Sequence, residues 1–87
     1  MINEEFKKYL ENSFNARDTE LFTLEVEIRN FKYSIDQIEN NYSDIEEMVQ
    51  FKEELKQTLK FSEVNKLKCM IMRDSFKKQL DDLNSTI

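Results

Sequence analysis

The sequence predicts an all-α fold, an antiparallel hairpin of two long helices, and three observations carry that prediction. The 87 residues include no glycine and no proline. Apolar residues recur at alternating steps of four and three through most of the first half. The best cluster of turn-compatible residues lies at the midpoint. Glycine and proline are the residues that most readily turn or break a backbone, so a chain with neither is long helix joined by few, short turns.

The first helix spans about 2–41. From Phe14 its seam reads Leu21, Leu24, Ile28, Phe31, Ile35, Ile38, Tyr42, Ile45 and Val49, with Arg17 out of place between Phe14 and Leu21. This is a sustained heptad repeat, the pattern that packs one helix on another. With Leu21 at a and Leu24 at d, Glu25, Glu27 and Glu39 take the flanking e and g sites.

The turn falls at about 40–43, within Glu39-Asn40-Asn41-Tyr42-Ser43-Asp44. Asn tolerates left-handed backbone best after Gly, so Asn40 or Asn41 is expected to end the helix. Ser43 with Glu46 matches a capping box, and Asp44, Glu46 and Glu47 suit the positive end of the helix dipole. The second helix therefore spans about 44–85. Its apolar residues read Leu55, Leu59, Val64, Leu67 and Ile71, then Phe76, Leu80, Leu83 and Ile87, with a register slip after Val49.

Equal arms on a short turn fold back on one another. A pairing in which residue numbers add to about 85 sets Leu21 against Val64, Leu24 against Phe61, Ile35 against Phe51, Ile38 against Met48, Phe14 against Ile71 and Phe6 against Leu80. It also brings Glu25 near Lys60 and Lys32 near Glu53. Residues 1–87 then form a single helical domain. Two alternatives stay open: a break at Asp18-Thr19 that separates a short N-terminal helix, and one at Ser62-Glu63.

Composition narrows the chemistry. There is no His, one Cys and no Gly, which removes the commonest general base, the usual zinc sets and every glycine-dependent phosphate or calcium loop. The acidic pairs Glu4-Glu5, Glu46-Glu47, Glu53-Glu54 and Asp81-Asp82 are sequence neighbours and diverge by about 100° on a helix, so they converge on no reacting atom. A non-enzyme with no cofactor and no metal is expected. The net charge of -5 disfavours nucleic acid. Mean hydropathy is -0.72 and the longest apolar run is Cys69-Met70-Ile71-Met72, so no membrane association is expected. No secretory signal pattern stands near the amino terminus, and a lone Cys69 among apolar neighbours reads as a buried, inert thiol. Both point to the cytoplasm.

Two surfaces stand out. Phe22 falls at heptad position b and Val26 and Tyr33 at f, nearly opposite the seam, while Cys69 to Met72 sweep most of the way round their helix. Phe22, Val26, Tyr33, Met70 and Met72 are therefore candidates for an interface, with a second copy of the chain (a dimer first, two hairpins forming a four-helix bundle) or with another protein. The 85 register also gathers Lys7, Lys8, Arg73, Lys77 and Lys78 at the open end as a candidate anion-binding surface, with Tyr9 as a stacking face.

In length and hairpin form the chain looks like the small secreted helical hairpins built around a Trp-x-Gly turn, a turn that is impossible here with no Trp and no Gly. In character it is similar to many phage-encoded or bacterial accessory proteins that inhibit or chaperone one host protein. That similarity implies an adaptor or inhibitor acting through a helix face. A subunit-bridging binder of an anionic small molecule or nucleotide, and a structural coiled-coil assembly module, are the alternatives.

Overall fold

The computed structural model describes Ile2–Ser85, with side chains described from Glu4 onward. It is all-α, a helical hairpin of α1 (Ile2–Asn41) and α2 (Glu46–Ser85), with no strand among the described residues. Both helices run unbroken through Asp18-Thr19 and Ser62-Glu63. A Thr or Ser in a helix favours a cap only where the chain has a reason to stop, and the packed seam gives it none.

The turn is tighter than a left-handed cap would make it. Tyr42 N donates to Ile38 O at 2.9 Å, continuing the helical ladder one residue past α1, and Ile45 N donates to Tyr42 O at 3.2 Å to close a four-residue turn. Ile45 O then accepts from Met48 N and Val49 N, both at 3.0 Å, so Ile45 occupies the cap position of α2. No positive φ occurs among the described residues, and Asn40 and Asn41 belong to α1. Ser43 lies two residues too early to cap α2, which corrects the expected capping box and moves the start from 44 to 46.

The chain forms two compact units. The turn-side unit is Thr23–Lys66 and the open-side unit joins Met1–Phe22 to Leu67–Ile87. In the turn-side unit Ile28, Ile35 and Ile38 are buried, with Leu24 and Phe31 half-buried, as the heptad pattern of α1 requires. Opposite them α2 presents Lys52, Leu55, Leu59, Ser62 and Lys66, all buried or half-buried. Two cross-helix contacts fix the register: Lys66 Nζ stands 3.7 Å from Glu25 Oε1, and Lys52 Nζ stands 4.0 Å from Glu39 Oε1, with Lys56 on the same carboxylate at 3.9 Å.

In the open-side unit the seam of α1 is Leu10, Phe14, Arg17 and Leu21, and Leu10 is the most deeply buried of these at 1 % exposure. From α2 come Cys69, Arg73, Phe76, Leu80 and Leu83. Cys69 Sγ lies 3.1 Å from Arg17 O, and Arg73 Nη1 lies 3.4 Å from Asp18 Oδ1.

In each unit, then, paired residue numbers add to about 90, and the 85 register is overturned. Val64, Phe61, Phe51 and Ile71, which it placed in the seam, are exposed, Phe61 to 67 % and Ile71 to 68 %. Glu25 meets Lys66 instead of Lys60, and Glu39 takes the lysines instead of Glu53 pairing with Lys32. The physical reason is phase. Leu55 and Leu59 stand three heptads before Phe76 and Leu80, so one supercoiled face includes all four only if Ser62, Lys66, Cys69 and Arg73 fill the positions between. The slip after Val49 is a single change of phase: from Lys52 to Leu83 α2 holds one heptad frame and carries polar residues on it. Ile87, assigned to the same seam, lies outside the described residues.

Candidate functional site

Each unit has one side laced with charge and apolar side chains that the seam leaves uncovered. In the turn-side unit the charged side carries the Glu25–Lys66 and Glu39–Lys52 contacts and a shallow hollow of about 250 Å³ lined by Glu25, Ile28, Arg29, Lys32 and Lys66. Such exposed pairs contribute roughly 0 to 1 kcal/mol each, so their effect is on alignment more than on stability. Val26 and Tyr33 stand seven residues apart on the outward face of α1, and Phe61 and Val64 are turned outward on α2; all four are exposed.

The open-side unit is built around Cys69. Its thiol is buried and donates to the backbone oxygen of Arg17, with Glu20 Oε2 a second acceptor at 3.8 Å. Arg17 Nη1 closes the group by holding the same Glu20 oxygen at 2.8 Å. Burial pushes the thiol above its ordinary 9.0, and the nearby Glu20 charge pushes it the same way, against weaker opposing pulls from Arg17 and Arg73. A protonated, buried thiol is a poor nucleophile, so Cys69 is a packing residue.

The native thiol holds its proton more tightly than the unfolded one, so its contribution is whole below about pH 9 and is lost as pH rises through the native value. The difference in urea midpoint between the parent and Cys69→Ala is therefore expected to be constant below about pH 9 and to narrow as pH rises beyond it, and a difference that stays constant above about pH 9 would contradict the assignment.

The candidate anion site is not gathered. Arg73 holds Asp74 at 3.0 Å and Asp18 at 3.4 Å, and the hydrogen bond to Asp74 is the main cause that pushes its guanidinium further above its ordinary value. Lys77 Nζ holds Asp81 at 3.1 Å one turn on. Lys7 and Lys8 line a shallow depression with Glu4 and Glu11. The register that faced Lys7 and Lys8 with Lys77 and Lys78 is replaced by one that sets Asp82 level with Lys8; Lys78 is exposed on α2.

Of the candidate interface residues, Phe22, Val26, Tyr33 and Met72 are exposed, Phe22 to 68 %, and Met70 is half-buried. The open-side unit adds Leu67 and Ile71, both exposed. It also holds a groove of about 250 Å³ lined by Tyr9, Ser13, Ala16, Arg17, Met72 and Phe76. Ala16 and Asp18, two residues apart on a helix, point about 160° apart, so this groove lies on the other side of the seam from the Arg73–Asp18 pair.

No protein-family model matches the chain, and no curated protein or solved structure does so either. Among the described residues no helix is long and apolar enough to cross a membrane, and no group of three or more His, Cys, Asp or Glu could hold a metal ion.

Proposed function

We propose that the protein is a small non-enzymatic adaptor or inhibitor that occupies the surface of one partner protein with an outward helix face. The observation that carries this reading is the exposure of large apolar side chains on the face of α1 turned away from the seam, Val26 and Tyr33 in the turn-side unit. At two-turn spacing they are the anchors of a helix laid into an apolar cleft. Residues 18–47 hold nine acids against two bases, so the fitting cleft has a cationic rim. Action is steric, or by favouring the target state that exposes the cleft. The reduced, buried Cys69 suits a reducing compartment such as the cytoplasm.

Burying each anchor is worth roughly 1.5 to 3 kcal/mol, so Val26→Glu with Tyr33→Glu is expected to weaken capture of the native partner by about 100-fold or more. Helicity by circular dichroism is expected to stay at the parent level, because neither side chain contacts the seam. Undiminished capture of the same partner would remove this face from the site.

A further inference from the structure

We infer that the groove side of the open-side unit is a self-docking surface, covered face to face by a second copy of this chain. The chain exposes 6920 Å², whereas a compact globular chain of its mass exposes about 5,500 Å². The excess of about 1,400 Å² exceeds the roughly 800 Å² that each partner gives to a standard stable interface. Small chains make up such a deficit with disulfides, a structural metal or association. The one thiol is committed to the seam, and among the described residues no metal-holding group exists. A cover needed by every copy is most simply another copy.

The chemistry of the groove suits such a cover. Its one charged lining residue, Arg17, is already neutralised by Glu20 at 2.8 Å, so covering the groove strands no charge. The charged side of the same unit, with Asp18, Arg73 and Asp74, is the costlier one to dry. Ser13 and Ala16 are small and let a helix approach closely, while Tyr9 and Met72 stand exposed at the margins.

A two-fold interface needs a knob and a hollow on one surface. Tyr9 is 62 % exposed and sits two helical turns before Ala16 on the same face. With the two α1 helices antiparallel about an axis near Asn12 and Ser13, Tyr9 of each copy seats over Ser13 and Ala16 of the other. The residues differ from those of the partner-binding face, so the two proposals stand or fall separately.

The test is sedimentation equilibrium on the full chain. The parent is expected to have twice the 10.6 kDa chain mass at micromolar concentration, and Ala16→Arg to be a folded monomer, since position 16 is exposed and Arg is a good helix former. Tyr9→Ala, which removes the knob without adding bulk, is expected to raise the dimer dissociation constant at least tenfold and provides the reading should Ala16→Arg fail to fold. Val26→Glu with Tyr33→Glu is expected to remain dimeric. A monomeric parent overturns the inference, as does Tyr9→Ala associating like the parent, or a dimer broken by the Val26 and Tyr33 changes and not by those at Tyr9 and Ala16.

Discussion

Ile28→Asp is expected to abolish cooperative unfolding, while Ile71→Asp, the same change on an equally apolar residue, is expected to leave the melting temperature within a few degrees of the parent. Ile28 is buried in the seam of the turn-side unit and Ile71 is 68 % exposed. Truncating a buried isoleucine to alanine costs about 2 to 5 kcal/mol, and placing an unpaired carboxylate there adds a desolvation penalty of several more. A chain of this size has a total stability of roughly 4 to 13 kcal/mol, so the loss is most or all of it. At the exposed site the change removes little buried area and stays within about 0.5 kcal/mol, apart from a small loss of helix propensity. Ile28→Ala gives a graded version, with a fall of about 4 to 8 °C per kcal/mol lost. Thermal melts followed by circular dichroism read all three. Equal damage from Ile28→Asp and Ile71→Asp would mean that Ile71 belongs to the core after all.

The contrast matters because hydrophobicity alone points the wrong way in α2. The heptad seam of α1 was legible in the sequence, since Leu21, Leu24, Ile28, Phe31, Ile35 and Ile38 are apolar at every step and no other face competes. The turn was legible to within two residues, because Asn40 to Asp44 is where helix-favouring side chains run out. In α2 two faces compete. Phe61, Val64, Leu67 and Ile71 outweigh Ser62, Lys66, Cys69 and Arg73 in hydrophobicity, and following the apolar residues leads onto the outward face. The signal that would have found the seam is the three-heptad spacing from Leu55 to Phe76 and from Leu59 to Leu80.

The candidate site was legible unevenly for the same reason. Phe22, Val26 and Tyr33 depend only on the frame of α1, and they are exposed as that frame requires. The five cations depended on how the two helices align, and a shift of about five in the summed numbers changed which charges they face. Arg17, out of place in an apolar reading, acquires a role once Cys69 and Glu20 are beside it: its backbone accepts the thiol and its side chain neutralises the carboxylate. Such local arrangements involve residues about fifty apart in the chain, and no short-range pattern encodes them.

The outward face of α2 follows from a polar heptad stripe of that helix facing α1, and paired cysteines read that stripe directly. In a Cys69→Ala background, Leu24→Cys is combined either with Lys66→Cys or with Phe61→Cys, and intrachain disulfide formation under mild oxidation is followed by mobility and mass. Half-buried Lys66 shares the seam with Leu24 while Phe61 points to solvent, so the pair at 24 and 66 is expected to cross-link rapidly and the pair at 24 and 61 to stay reduced. Preferential cross-linking between 24 and 61 would contradict the register.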